Sequence, residues 1–254
     1  MKLVKYVLLD IMRSKVLIAY TCFLFAISFG MFMISAEPVK AITSLLNIVL
    51  IVLPLFSVVF ATSYYYNAYE FTELLLAQPI KRTTLFYCQF FGVGLALGLA
   101  FLIGCGIPLF IFGYSVPAIM LLVSGFVLTW VFTSLSFLAA VFARDKTKGV
   151  GIAILLWFYF VFIYDALVLL FLFSFSNYPL EKVLLLLTFL NPVDLTRIIM
   201  LMQLDMSAIM GYTGALFTQF LGSFTGILWC FSALLAWVAV PLLLAHRQFN
   251  RKDI

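Results

Sequence analysis

Charge is scarce in this chain. Asp, Glu, Lys and Arg make up only 10% of its 254 residues, where a soluble domain carries about a quarter. That scarcity excludes a soluble globular protein. Histidine occurs once, at His246, which excludes a histidine-based metal centre or catalytic site. The four cysteines, Cys22, Cys88, Cys105 and Cys230, are widely spaced and mostly within apolar runs. None has metal-ligand spacing or the setting of an outer-face disulfide, so they read as small core residues. No G-x-x-x-x-G-K-[ST] run is present, so the chain does not hydrolyse ATP by that route.

Apolar residues are abundant: they form 66% of the chain, and the mean hydropathy is +1.21. Runs of about 20 apolar residues, the length that crosses a bilayer core, recur with short gaps. The chain is therefore expected to be an all-α polytopic membrane protein, residues 1–254 forming one membrane domain. Residues 1–15 come first as an amphipathic interfacial helix. Leu3, Val7, Ile11 and Val4, Leu8, Met12 recur at four-residue spacing, with Lys2, Lys5, Asp10 and Arg13 turned elsewhere. A cleaved signal peptide is the alternative, and a full-length span straight after residue 15 argues against it.

Six spans follow, at about 16–36, 41–64, 84–113, 117–143, 150–175 and 221–245. The second carries Pro54 as a kink site and ends in Tyr64, Tyr65, Tyr66 and Tyr69, suited to the water–lipid interface. In the third, Gly94 and Gly98 have the spacing that lets helices approach closely. With six spans, twelve Lys and Arg face inward and three, Lys40, Lys182 and Arg197, face outward. That positive-inside bias puts both termini in the cytoplasm. A seventh span over 183–204 would move the tail cations outside and place Asp194 and Arg197 in lipid. Residues 176–220 are instead an outer cap of short helices, re-entrant where protein shields the backbone. The net charge of +5 follows from this topology and needs no nucleic acid.

The cytoplasmic loop 65–83 is the main polar interruption of the first half. Glu70 and Glu73 precede Leu74, Leu75 and Leu76, Gln78-Pro79 breaks the helix, and Lys81 and Arg82 follow. Carboxylates near its start suit the positive end of a short helix. This stretch resembles the cytoplasmic loop of ABC-2-type permeases. Glu73-Leu74-Leu75-Leu76-Ala77-Gln78-Pro79 matches the core of that pattern and Arg82 its basic position. Glu70 and Gln89 depart from it, standing where a glycine and a lysine are usual. The resemblance implies a type-2 ABC exporter-like permease fold with Glu70, Glu73, Leu74, Leu75, Leu76, Pro79 and Arg82 coupling to an ATPase.

Leu190-Asn191-Pro192-Val193-Asp194-Leu195-Thr196-Arg197 is similar to the L-N-P-x-D-x-x-R segment of the permease in the nitrous oxide reductase maturation transporter. The Arg144–Gly149 turn, Trp157-Phe158-Tyr159-Phe160 and Tyr164-Asp165 are similar to the same subfamily. This resemblance implies a homodimer in the bacterial inner membrane, bound to two copies of an ATPase subunit that holds the ATP and Mg. It also implies a periplasmic carbohydrate-binding-like partner, for which Asn191, Pro192, Asp194 and Arg197 are the candidate docking residues, and a role in copper-centre assembly. This chain itself is expected to bind no cofactor. Met200, Met202, Met206 and Met210 lie in the outer region. Thioethers favour Cu(I), but filling of apolar faces is the preferred reading.

Asp165 is the one ionisable residue placed inside the hydrocarbon. It is expected toward the outer half of the fifth span, facing the bundle and bonded to a hydroxyl, a backbone group or Arg197. The competing functions are a general exporter of drugs, lipids or other amphiphiles, an intramembrane enzyme and a secondary transporter. Asp165 has no second carboxylate or histidine at its expected depth to make an enzyme. An ion-coupled transporter would want several buried ionisable groups.

Overall fold

The computed structural model describes residues 2–35, 37–69, 81–143, 145–175, 181–204 and 224–251. All elements among them are helical. Helix α1 (Lys2–Met12) buries Val7 and Ile11, the apolar stripe read from the sequence, and leaves Tyr6, Leu9 and Asp10 exposed. Ser14 then starts α2 (Lys15–Ile34), its Oγ accepting from the Leu17 N–H at 3.3 Å, which satisfies one of the orphan donors of a helix N-terminus. Helix α3 (Pro38–Asn67) opens with proline in its first turn and runs through Pro54; a first-turn proline has no intrahelical N–H bond to lose. Helix α4 spans Arg82–Phe112, and α5 spans Val116–Phe142 behind an N-cap at Ser115.

The fifth long helix, α6 (Lys146–Ser174), is continuous but carries a π turn at Tyr159–Ile163. Two short helices follow, α7 (Glu181–Phe189) and α8 (Pro192–Gln203), and α9 (Phe224–Arg251) closes the chain. Among the described residues, six helices are long and apolar enough to cross a membrane: α2, α3, α4, α5, α6 and Thr225–Asn250 of α9. The protein is a multi-pass helical membrane protein. The ends of α6 and α9 differ from the sequence reading. Helix α6 starts four residues before Val150, because Lys146 and Lys148 form its first turn, Lys148 pairing with Asp145 at 3.4 Å. Likewise α9 runs to Arg251, so His246 sits on a helix against Phe86 and Tyr87 rather than in a tail.

Packing centres on α5, which touches α3, α4, α6, α8 and α9. Its hydroxyls are satisfied within the helix: Thr129, Thr133 and Ser136 each donate to the carbonyl four residues back. Ser134 instead donates to the Val238 carbonyl of α9 at 2.8 Å. The Gly94–Gly98 spacing does not serve backbone-to-backbone approach. Trp130 and Phe126 of α5 fill those two notches, within 2.7 and 2.4 Å of where a Cβ would stand. The close approach of helices falls at Gly104, where a Cβ would meet the Thr21 carbonyl of α2 at 3.0 Å.

Helices α7 and α8 are bent by 111° at Leu190-Asn191. With nine and twelve residues, neither reaches the ~20 that a crossing needs. The pair is a hairpin whose second arm buries Val193, Leu195, Ile198 and Ile199 and packs against α5, α3 and α9.

Candidate functional site

The polar groups of this hairpin converge at its tip. Asn191 caps α8: its Oδ1 accepts from the Val193 N–H at 3.0 Å. Proline at the next position fits the first turn of a helix. The other end of the Asn191 amide has two acceptors. Its Nδ2 donates to the Phe160 carbonyl and to Asp194 Oδ2, both at 3.0 Å. Asn191 is 0% exposed and all its polar atoms have partners, as a buried amide requires.

The Phe160 carbonyl lies inside the π turn of α6. There the Tyr164 N–H donates to the Tyr159 carbonyl, five residues back, instead of to Phe160. The wider turn thus frees a carbonyl that in a regular α-helix would accept that bond. Asn191 supplies the donor. One turn along α8, Arg197 Nη1 donates to Asp194 Oδ1 at 3.0 Å and to Asp165 Oδ2 at 2.8 Å. Of the three partners that the sequence left open for Asp165, the structure shows the arginine. A guanidinium flanked by two carboxylates joins α8 to α6 through charge-assisted hydrogen bonds, the strong kind.

The carbonyls at the end of α7 are also satisfied from the spans. Tyr164 Oη donates to the Leu187 carbonyl at 2.6 Å, and Trp237 Nε1 of α9 donates to the Phe189 carbonyl at 3.2 Å. Depth explains why each group is bonded. Phe160 lies fourteen residues into α6, roughly 21 Å from its Lys146 end at 1.5 Å per residue. The hydrocarbon core is about 30 Å thick, so the tip sits at membrane depth, where bare backbone groups cost several kcal/mol. A pair bent in this way is the form of a broken span or of a re-entrant loop.

This arrangement corrects part of the docking expectation. Asn191 and Pro192 are buried in the bundle and present no surface. Asp194 and Arg197 are partly exposed, and Arg197 Nη1 is already engaged by both carboxylates. Trp237 is the residue of this site that the sequence reading passed over, and Tyr164, noted there only beside Asp165, supplies the second donor. An indole or phenol at mid-span has a donor that must be bonded, which was the available signal. Met200, of the outer methionines, is buried in α8.

The candidate coupling residues Glu70, Glu73, Leu74, Leu75, Leu76 and Pro79 lie outside the described residues. Arg82 is the first residue of α4, and α3 ends at Asn67. That end is tied by Lys146 Nζ donating to Asn67 Oδ1 at 2.8 Å and by Tyr66 Oη donating to the Ala140 carbonyl at 3.0 Å. Three cysteines are buried and Cys22 is exposed. Among the described residues no three His, Cys, Asp or Glu converge as a metal site.

No curated protein matches the sequence. A family model described as ABC-2 family transporter protein matches residues 71–254, well over half of the chain. With six membrane-length helices among the described residues, the chain belongs to the ABC-2 family of transporter proteins, the membrane permease subunits of ABC transporters, whose ATPase is a separate subunit.

Proposed function

We propose that this permease turns ATP hydrolysis by its partner into movement at the opposite face through the re-entrant hairpin. Two copies of the chain and two ATPases form the working unit, in a bacterial inner membrane with both termini in the cytoplasm. The ATPases grip the short helix of the 70–79 loop, Leu74, Leu75 and Leu76 seated in a groove and Glu70 and Glu73 at its start. The observation that carries the reading is the Arg197–Asp165 bond at 2.8 Å with its Asn191–Phe160 companion at 3.0 Å. Because α8 is keyed to α6 by polar contacts at membrane depth, a tilt of α6 carries the hairpin with it.

The narrower role is maturation of nitrous oxide reductase, with the hairpin supporting a periplasmic carbohydrate-binding-like partner during copper-centre assembly. Its support is the Leu190–Arg197 segment, whose Asn, Pro, Asp and Arg are the residues that build the tip. The other role is a general exporter of amphiphiles. The test co-expresses the chain with its ATPase, with and without that partner. Its readouts are assembly, ATPase stimulation and reductase copper content. Leu75→Arg is expected to release or uncouple the ATPase while the spans still insert. A variant that kept full binding and activity would remove the loop from the mechanism. Full metallation of the reductase in the absence of this chain would leave the exporter role.

A further inference from the structure

A groove runs along α3, bounded by the corner where α1 turns into α2. It has two chambers, of 520 and 490 Å³, which share Val16 and Phe56. The chamber nearest the 70–79 loop carries polar groups, among them Asp10, Arg13, Ser63 and Asn67. The farther one is apolar except for Lys15 at its mouth: Ala19, Tyr20, Phe23 and Val52 line it. Tyr20, itself buried, stacks on Phe56 with ring centroids 3.8 Å apart and planes 5° apart, which fixes the Phe56 ring in the chamber's lining. From Val52 to Asn67 the groove follows fifteen residues of α3, roughly 22 Å at 1.5 Å per residue. Half of the hydrocarbon core is about 15 Å. The groove is therefore long enough for an acyl chain in the core and a headgroup beyond it.

Charge selects the occupant. Arg13 and Lys15 are exposed at the mouth, and neither is ion-paired among the described residues. Asp10, also exposed there, offsets one of them and leaves one net positive charge. The positive end of α2 begins at the same corner and adds to the attraction for an anion. A phosphate diester with an uncharged headgroup matches that balance, whereas a zwitterionic lipid brings its own cation. The exposed face of α2 formed by Phe25, Phe29 and Met33 is as apolar but has no such charge beside it.

We propose that this groove is a resident site for one anionic phospholipid of the leaflet on the 70–79 loop side. Its chain lies against the Phe56 ring and its phosphate between Arg13 and Lys15. Lipid held there wedges the α1–α2 corner against α3, next to the helix end from which the 70–79 loop departs. The proposal does not depend on what the transporter carries.

The full chain is purified in mild detergent and its retained phospholipid is counted by native mass spectrometry. It is then placed in phosphatidylcholine nanodiscs with graded phosphatidylglycerol. Wild type is expected to keep one phosphatidylglycerol per chain. R13Q/K15Q should bind it roughly 30-fold more weakly, two surface cations being lost. Ala19→Trp, which fills the apolar chamber from an exposed position, should lose the retained lipid with both cations in place. Lys148→Gln, one charge removed elsewhere on the same side, should change nothing. Excess inorganic phosphate should not displace the lipid. Equal retention in wild type, R13Q/K15Q and Ala19→Trp, or equal retention of phosphatidylcholine, would overturn the proposal. Displacement by phosphate alone would make this an ion site and overturn it as well.

Discussion

Helices α5 and α6 are neighbours of similar length and apolar character, 27 and 29 residues, yet about two thirds of the apolar stretch of α5 is buried and only 17% of that of α6. The difference extends to their polar groups. In α5 most hydroxyls bond to carbonyls of their own helix, which leaves it a smooth, charge-free post for its neighbours. In α6 only Ser174, at its end, bonds within the helix in this way; elsewhere the polar groups bond outward: Trp157 Nε1 to the Ile51 carbonyl at 3.1 Å, Phe160 to Asn191, Tyr164 to Leu187 and Asp165 to Arg197. A helix held by broad packing is a scaffold. One held at a few polar points has freedom to tilt and takes its partners along. Under the coupling proposed above, bonds between elements mark the part that moves, and bonds within an element mark the fixed part.

The largest effect is expected from attacking the scaffold. At Gly125 of α5 a Cβ would lie 2.5 Å from the ring of Phe101, itself 0% exposed. Gly125→Leu has nowhere to place its side chain, and overpacking on that scale costs about 3 kcal/mol. Thermal unfolding of the purified chain should show a large fall in Tm or loss of folded protein. A wild-type melting curve would mean that α5 is less tightly held than its burial indicates.

The hairpin lock comes next. Arg197→Ala leaves Asp194 and Asp165 facing each other without a cation, at a cost of about 3 kcal/mol for breaking such a pair. The loss should fall on the hairpin and α6 and not on the α3–α5 core. Hydrogen exchange should therefore rise over 159–165 and 191–203 and stay low in α5. Asp165→Leu in the Arg197→Ala background should recover part of the stability, because it removes one stranded charge. Uniform loosening of all helices would show that the lock is part of the scaffold after all.

The spans were legible because runs of apolar residues have one physical use at this length. Even the hairpin break could be read, since Asn191-Pro192 stops one helix and starts another. The partner of Asp165 could be narrowed for a simple reason: a carboxylate in a span needs a donor, and few were near. The π turn at Tyr159–Ile163 could not be read. It depends on one carbonyl finding an amide 31 residues away, and an aromatic run encodes nothing about that. Gly94 and Gly98 misled in a similar way. Small residues announce room, but whether a backbone or a ring of Trp130 or Phe126 takes it depends on the facing helix.

Asn191→Ala tests the π turn with a smaller perturbation. It strands the Phe160 carbonyl and removes the cap on Val193, together worth about 2 kcal/mol. The expected result is faster amide exchange at 160–165 and a Tm fall smaller than for Arg197→Ala. Asn191→Asp keeps the cap oxygen but loses the donor. It should match alanine at the π turn and lie closer to wild type at the start of α8.

The smallest effect is expected at Gly151, and it decides what covers α6. Gly149, two residues earlier, is filled: a Cβ there would stand 2.2 Å from Tyr66 Oη, the group that bonds the Ala140 carbonyl. At Gly151 a Cβ meets nothing within 4 Å. If this face of α6 meets lipid, Gly151→Leu adds an apolar side chain to an apolar surroundings and a better helix former to a helix. Stability should then stay within about 0.5 kcal/mol of wild type, as for substitutions away from packed features, and the oligomeric state in nanodiscs should not change. That is the outcome expected from the low burial of α6. A chain that folded normally but lost the proposed two-copy assembly would place a second permease against Gly151. The freedom of α6 would then be freedom within an interface, and the contrast with α5 would hold only for the single chain.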